Sequence, residues 1–82
     1  MDEQSIFGKM VDILKAYTKD PALLERATMD THILNDLKVN SARLVDVIIK
    51  CEDVFGVSVE DDEADKIGTI GDAVAIIQNK LA

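Results

Sequence analysis

The chain has 82 residues, a net charge of −7 and 48% hydrophobic residues, with no Trp and a single Cys. That length suits one small domain over residues 1–82 with a modest core, and the acidic balance argues against nucleic acid or an anionic membrane as partner and for a basic protein patch. One cysteine excludes an intrachain disulfide framework and a multi-cysteine zinc site, and the longest apolar run, residues 73–77, is far too short to span a bilayer.

Taken in chain order, Ile6, Phe7, Met10, Val11, Ile13, Leu14 and Tyr17 recur at helical spacing and predict an amphipathic helix over residues 3–17. Asp20-Pro21 ends this helix or starts the next element, since Pro lacks a donor and restricts the residue before it. Residues 19–40 then form a connection well beyond the roughly 2–8 residues usual between bundled helices. It carries Leu23, Leu24, Ile33, Leu34 and Leu37, side chains suited to burial, and it delivers Asn40-Ser41 to an exposed end of the bundle. A second helix is expected over residues 41–55, capped by Asn40, with Leu44, Ile48, Cys51 and Phe55 on one stripe flanked by Val47 and Val54. Gly56 stands where a helix-ending glycine belongs. Residues 58–67 hold an acidic run and one short helical turn. Thr69 and Asp72 have capping-box spacing for a last helix, whose stripe is Ile70, Val74, Ile77 and Leu81. No strand is expected. The fold class is all-α: a four-helix bundle with three longer helices, one short helix and a long first loop.

Catalysis by the chain itself is not expected. The only His, His32, has no Cys or Ser partner pattern and reads as an ordinary half-exposed loop residue. Cys51 falls in a core stripe beside Glu52 and Asp53, which raise a thiol's pKa, so it reads as core filler. The carboxylates of residues 60–65 lack the calcium-loop order, with Lys66 where a Gly is needed, and read as a solvated or docking surface. Weak divalent binding there is a minor alternative, and no metal ligands are assigned. Ser41 is notable for its position, because its hydroxyl projects beside the free N–H groups of a helix start, where anions are favoured.

The run Leu37-Lys38-Val39-Asn40-Ser41-Ala42, an amphipathic helix ending in Phe55-Gly56-Val57, and the stretch Val59 to Val74 with Asp65-Lys66-Ile67-Gly68-Thr69-Ile70 together resemble the acyl carrier proteins. The likeness covers nearly the whole chain. It implies that Ser41 receives a 4′-phosphopantetheine, derived from coenzyme A, from a separate phosphopantetheinyl transferase. The arm's thiol would then carry acyl groups as thioesters to acyl-transferring or acyl-modifying enzymes of fatty-acid or related lipid biosynthesis, enzymes with basic docking patches. A non-catalytic, cytoplasmic monomer is expected, and Asp2 and Glu3 put acid where a signal peptide carries base. The alternatives are a carrier of aminoacyl or polyketide units, or a cofactor-free acidic interaction module of the same fold.

On this reading Leu44, Val47, Ile48, Ile67, Ala73 and Ile77 line an acyl pocket. Asn40, Ala42, Arg43, Val45, Asp46, Ile49, Glu52 and Asp53 form the partner-recognition surface, a mixed apolar and acidic strip. The family's usual run is Leu-Gly-x-Asp-Ser-Leu. Here Lys38 replaces Gly, Asn40 replaces Asp, Ala42 replaces Leu, and Arg43 puts a cation where an acid is frequent. These departures imply a specialised carrier.

Overall fold

Asp2 accepts the Ser5 amide at 2.8 Å and thereby starts the first helix, α1, over Glu3–Leu14. In the computed structural model, which describes residues 2–81, it is followed by α2 (Leu44–Phe55), α3 (Asp61–Ala64) and α4 (Ile70–Leu81). Short 3-10 turns occupy Pro21–Arg26 and Ser41–Arg43. The expected bundle of three longer helices, a short one and a long first connection is therefore present. Among the described residues the only β-type pairing is an isolated bridge between His32 and Thr69.

The first helix is shorter than its apolar periodicity suggests. After Leu14 the chain tightens, with Ala16 donating to Ile13 at 3.3 Å and Tyr17 to Leu14 at 3.0 Å. Tyr17 still packs on the core, so the apolar pattern outlasts the α-helical geometry. Thr18, buried at the end of this turn, donates its hydroxyl to the Leu37 carbonyl. That bond ties the two ends of the long connection together just ahead of Lys38.

The connection is less irregular than its length implies. Asp20 accepts the Ala22 amide at 3.1 Å, and Pro21 opens the 3-10 turn, where a missing N–H costs nothing. Leu24, Ile33, Leu37 and Val39 are buried, while Leu23 and Leu34 are half-buried. The second helix ends as expected: Gly56 takes φ 66°, left-handed, and its N–H returns to the Glu52 carbonyl.

The last helix is capped from two directions. Thr69 Oγ1 accepts the Asp72 amide at 3.0 Å, and Asp72 Oδ2 accepts the amides of Thr69 and Gly68 at 3.0 and 2.9 Å. The Ile70 and Gly71 amides, free at a helix start, instead donate to Thr31 and Met29 of the long connection at 2.9 and 2.8 Å. The Ile33 amide returns a bond to the Gly68 carbonyl at 3.0 Å. Loop and helix start thus satisfy each other's backbone, which holds Ile33 in the core.

The core is built from Ile6, Met10, Ile13 and Leu14 of α1, Val47, Cys51 and Phe55 of α2, and Ile70, Ala73, Val74 and Ile77 of α4, closed by the loop residues above. The first helix packs most extensively on α4 and also against α2. Two stripe residues differ from expectation. Val54 is 43% exposed and Leu81 37% exposed, so neither is part of the buried core.

Candidate functional site

Ser41 begins the 3-10 turn that leads into α2, and it is exposed. The cap is made by its neighbour: Asn40 Oδ1 accepts the Ala42 amide at 3.0 Å, and the Asn40 carbonyl accepts the Arg43 amide at 2.8 Å. Among the described residues the Ser41 hydroxyl has no hydrogen-bond partner. It is free of the capping role that most often explains a serine at a helix start, and it is open to chemistry. Three residues earlier Lys38 has φ 54°, a left-handed conformation that costs a side-chain-bearing residue about 1–2 kcal/mol. The turn that presents Ser41 is therefore strained on its approach and capped on its exit.

One turn beyond the serine the helix divides into two faces. Outward point Val45, 60% exposed, and Ile49, 55% exposed, with Ala42 exposed above them. Such exposure keeps Val45 and Ile49 out of the core. Arg43 Nη1 and Asp46 Oδ2 pair at 3.3 Å across the same face, so this cation is partly neutralised locally. Asp53 is exposed, whereas the Glu52 carboxylate accepts the Val59 amide at 2.8 Å and braces the segment that leads to α3.

Inward, Leu44, Val47, Ile48 and Cys51 line an apolar seam between α2 and α4. Ala73, Ile76 and Ile77 supply the opposite wall, and Val59 and Ile67 come from the two flanks of α3. Met10 of α1 and Ile33 of the long connection complete it. All six residues that the sequence points to as pocket-lining meet here. Met10, Ile33, Cys51, Val59 and Ile76 join them without having been expected. Met10 and Cys51 carry the right signal, a place in an apolar stripe, but the stripe alone does not say which neighbour faces the seam. The seam is closed to no more than about one water molecule, and no polar atom is exposed within it. Leu44, Ile48, Val59, Ile67 and Ile76 are half-buried and form its outer side.

The remaining candidates have structural partners. The Cys51 thiol is pushed up to about 12 by burial and by the neighbouring Glu52 charge, so it stays neutral and unreactive. His32 is exposed in its loop, beyond the half-exposure expected, and its backbone amide donates to Asp36 at 2.9 Å. In the acidic run, the Glu63 carboxylate accepts the Glu60 amide at 3.0 Å at the start of α3, and it also pairs with Lys80 of α4 at 2.8 Å. Among the described residues no three His, Cys, Asp or Glu side chains converge as metal ligands. No described helix is long and apolar enough to cross a membrane.

No protein-family model matches the chain. Curated proteins do. The acyl carrier protein of Lactobacillus acidophilus is 39% identical over 79 residues, covering 96% of each chain. That of Thermotoga maritima is 39% identical over 78 residues, covering 95% of this chain and 94% of its own. Among solved structures, the acyl carrier protein of Enterococcus faecalis superposes with a TM-score of 0.79 at 26% identity, covering 98% of this chain and 99% of that one.

Proposed function

The chain belongs to the acyl carrier protein family, and we propose that it carries acyl groups on a 4′-phosphopantetheine arm attached to Ser41, delivering them to enzymes that perform the chemistry. The observation that carries this reading is the exposed Ser41 hydroxyl, left without a hydrogen-bond partner among the described residues while Asn40 makes the cap. When bound, the arm supplies a terminal thiol that holds the acyl group as a thioester. Everything else falls to the side chains around it.

Ser41 Oγ would hold the arm, and the helix start behind it favours the phosphodiester's negative charge. Leu44, three residues on, already lines the apolar seam, so a chain held from Ser41 meets greasy surface within one helical turn. The apolar lining favours an aliphatic acyl group over an aminoacyl or hydroxylated polyketide unit, whose polar atoms would be buried without partners. Outside, Ala42, Val45 and Ile49 form an apolar strip bordered by Asp46 and Asp53, suited to a partner groove with an apolar floor and a basic rim. Such a surface fits both the phosphopantetheinyl transferase and the acyl-handling enzymes. The small Ala42 and the cation Arg43 beside the serine support a specialised set of partners.

The test is to incubate the purified chain with coenzyme A and a broad-specificity phosphopantetheinyl transferase and to measure the intact mass. One phosphopantetheinyl group should be gained, and none by Ser41→Ala. An unchanged wild-type mass overturns the assignment and favours a cofactor-free interaction module, and a gain that survives in Ser41→Ala overturns the assignment of the arm to Ser41.

A further inference from the structure

Burial is graded across the apolar seam. The side nearest Ser41 and α3 is made of half-buried side chains, Leu44 and Ile67 among them, whereas Met10, Ile33 and Cys51 are almost wholly buried. Met10 is the one lining residue from α1, and it faces α2 across the seam with its Sδ 3.3 Å from the Cys51 Sγ. A chain pushing inward from the Ser41 end therefore meets α1 at this sulfur pair. We infer that Met10 and Cys51 form the floor of the acyl pocket and set the length of chain the protein can shelter, an inference that rests on the carrier reading of Ser41.

The two side chains differ in how they resist. Met has three rotatable bonds and a polarizable thioether, so it can turn aside to fill or vacate irregular space. Cys51 is held by its helix and is small, so the position beside it is limited by backbone and not by rotamer. Met10 is thus the movable part of the floor and Cys51 the fixed part. Since the seam holds no more than about one water molecule, each carbon of an entering chain must displace packed side chains. Chains short of the floor do this by parting Leu44, Ile48, Ile67 and Ile76 on the outer side. Longer chains must move Met10, and beyond its range the extra carbons stay in water.

The experiment loads Ser41 with straight-chain acyl-phosphopantetheine groups from butyryl to myristoyl and records the thermal unfolding midpoint of each product. A chain that binds inside the folded state alone raises the midpoint. In the wild type the midpoint should climb with chain length and then level off. In Met10→Ala, which removes Cγ, Sδ and Cε, the levelling point should move about three carbons longer. Cys51→Ala, a milder change that guards against an unfolded Met10→Ala, should move it by about one carbon. Met10→Leu, similar in volume, should leave it where it was. A levelling point identical in the wild type, Met10→Ala and Cys51→Ala overturns the floor while leaving the carrier reading intact. Failure of the wild type to accept any acyl-phosphopantetheine overturns the carrier reading and the floor with it.

Discussion

The Gly71 amide donates to the Met29 carbonyl at 2.8 Å, and a Cβ on residue 71 would stand 2.7 Å from that same oxygen. The last helix can therefore start against the long connection only because residue 71 has no side chain. The same set of backbone bonds positions Ile33, so the close approach bears on the apolar seam between α2 and α4 as well as on stability.

Replacing Gly71 by Ala sets helix propensity against this contact. Propensity alone gains about 1 kcal/mol, whereas forcing a methyl group against a backbone oxygen costs typically about 1–3 kcal/mol. Because the obstacle is main chain and cannot rotate away, the clash should win. Urea unfolding should show Gly71→Ala less stable than wild type; a higher midpoint would mean that the loop yields freely.

Lys38 predicts the opposite sign. Relief of its left-handed backbone is worth about 1–2 kcal/mol, less roughly 0.5–1 kcal/mol for glycine's greater freedom when unfolded. Lys38→Gly should therefore stabilise the protein by up to about 1.5 kcal/mol, while Lys38→Ala, which keeps a Cβ, should not. Equal effects of the two substitutions would assign the change to the lost charge instead.

Three carboxylates make the protein sensitive to acid. Asp2 is held below the usual Asp value of 3.8 by the Ser5 amide, and Asp72 by the amides of Thr69 and Gly68. Glu63 is held below the usual Glu value of 4.5 by Lys80 and by the Glu60 amide. A carboxylate with a lowered pKa in the folded state adds stability above its unfolded pKa and loses it as pH falls through the folded one. Stability should be flat near neutrality and fall below about pH 4.5. Asp72→Asn should make that fall shallower, and an undiminished slope in the variant would remove Asp72 from the account.

Ala42 lies exposed at the top of the apolar strip that carries Val45 and Ile49. If a partner covers this strip, Ala42→Leu should strengthen docking by roughly 1–2 kcal/mol, the value of burying the added side chain. The measurement is kcat/KM for modification by a phosphopantetheinyl transferase. A leucine that leaves it unchanged, with folding stability also unchanged, would place the contact elsewhere on α2.

Local chemistry accounts for what could be read in advance. The cap of Asn40, the capping box of Thr69 and Asp72, the helix-ending Gly56 and the stripes of α2 and α4 depend on residues within one or two turns of each other, so their spacing alone is diagnostic. The stripes, read together with the family resemblance, pointed to Leu44, Val47, Ile48, Ile67, Ala73 and Ile77, which do meet at one seam. Periodicity says that a side chain is apolar-facing; it does not say which distant element it faces. Met10 and Ile33 reach the seam through the packing of α1 against α2 and through backbone bonds between residues far apart in the chain. The extent of α1 likewise escaped the pattern, because the 3-10 tightening after Leu14 leaves the apolar spacing intact as far as Tyr17. The acidic, Trp-free composition and the position of Ser41 were settled by the sequence by itself. Which side chains close the seam was decided only when the folded backbone and its long-range packing brought those residues together.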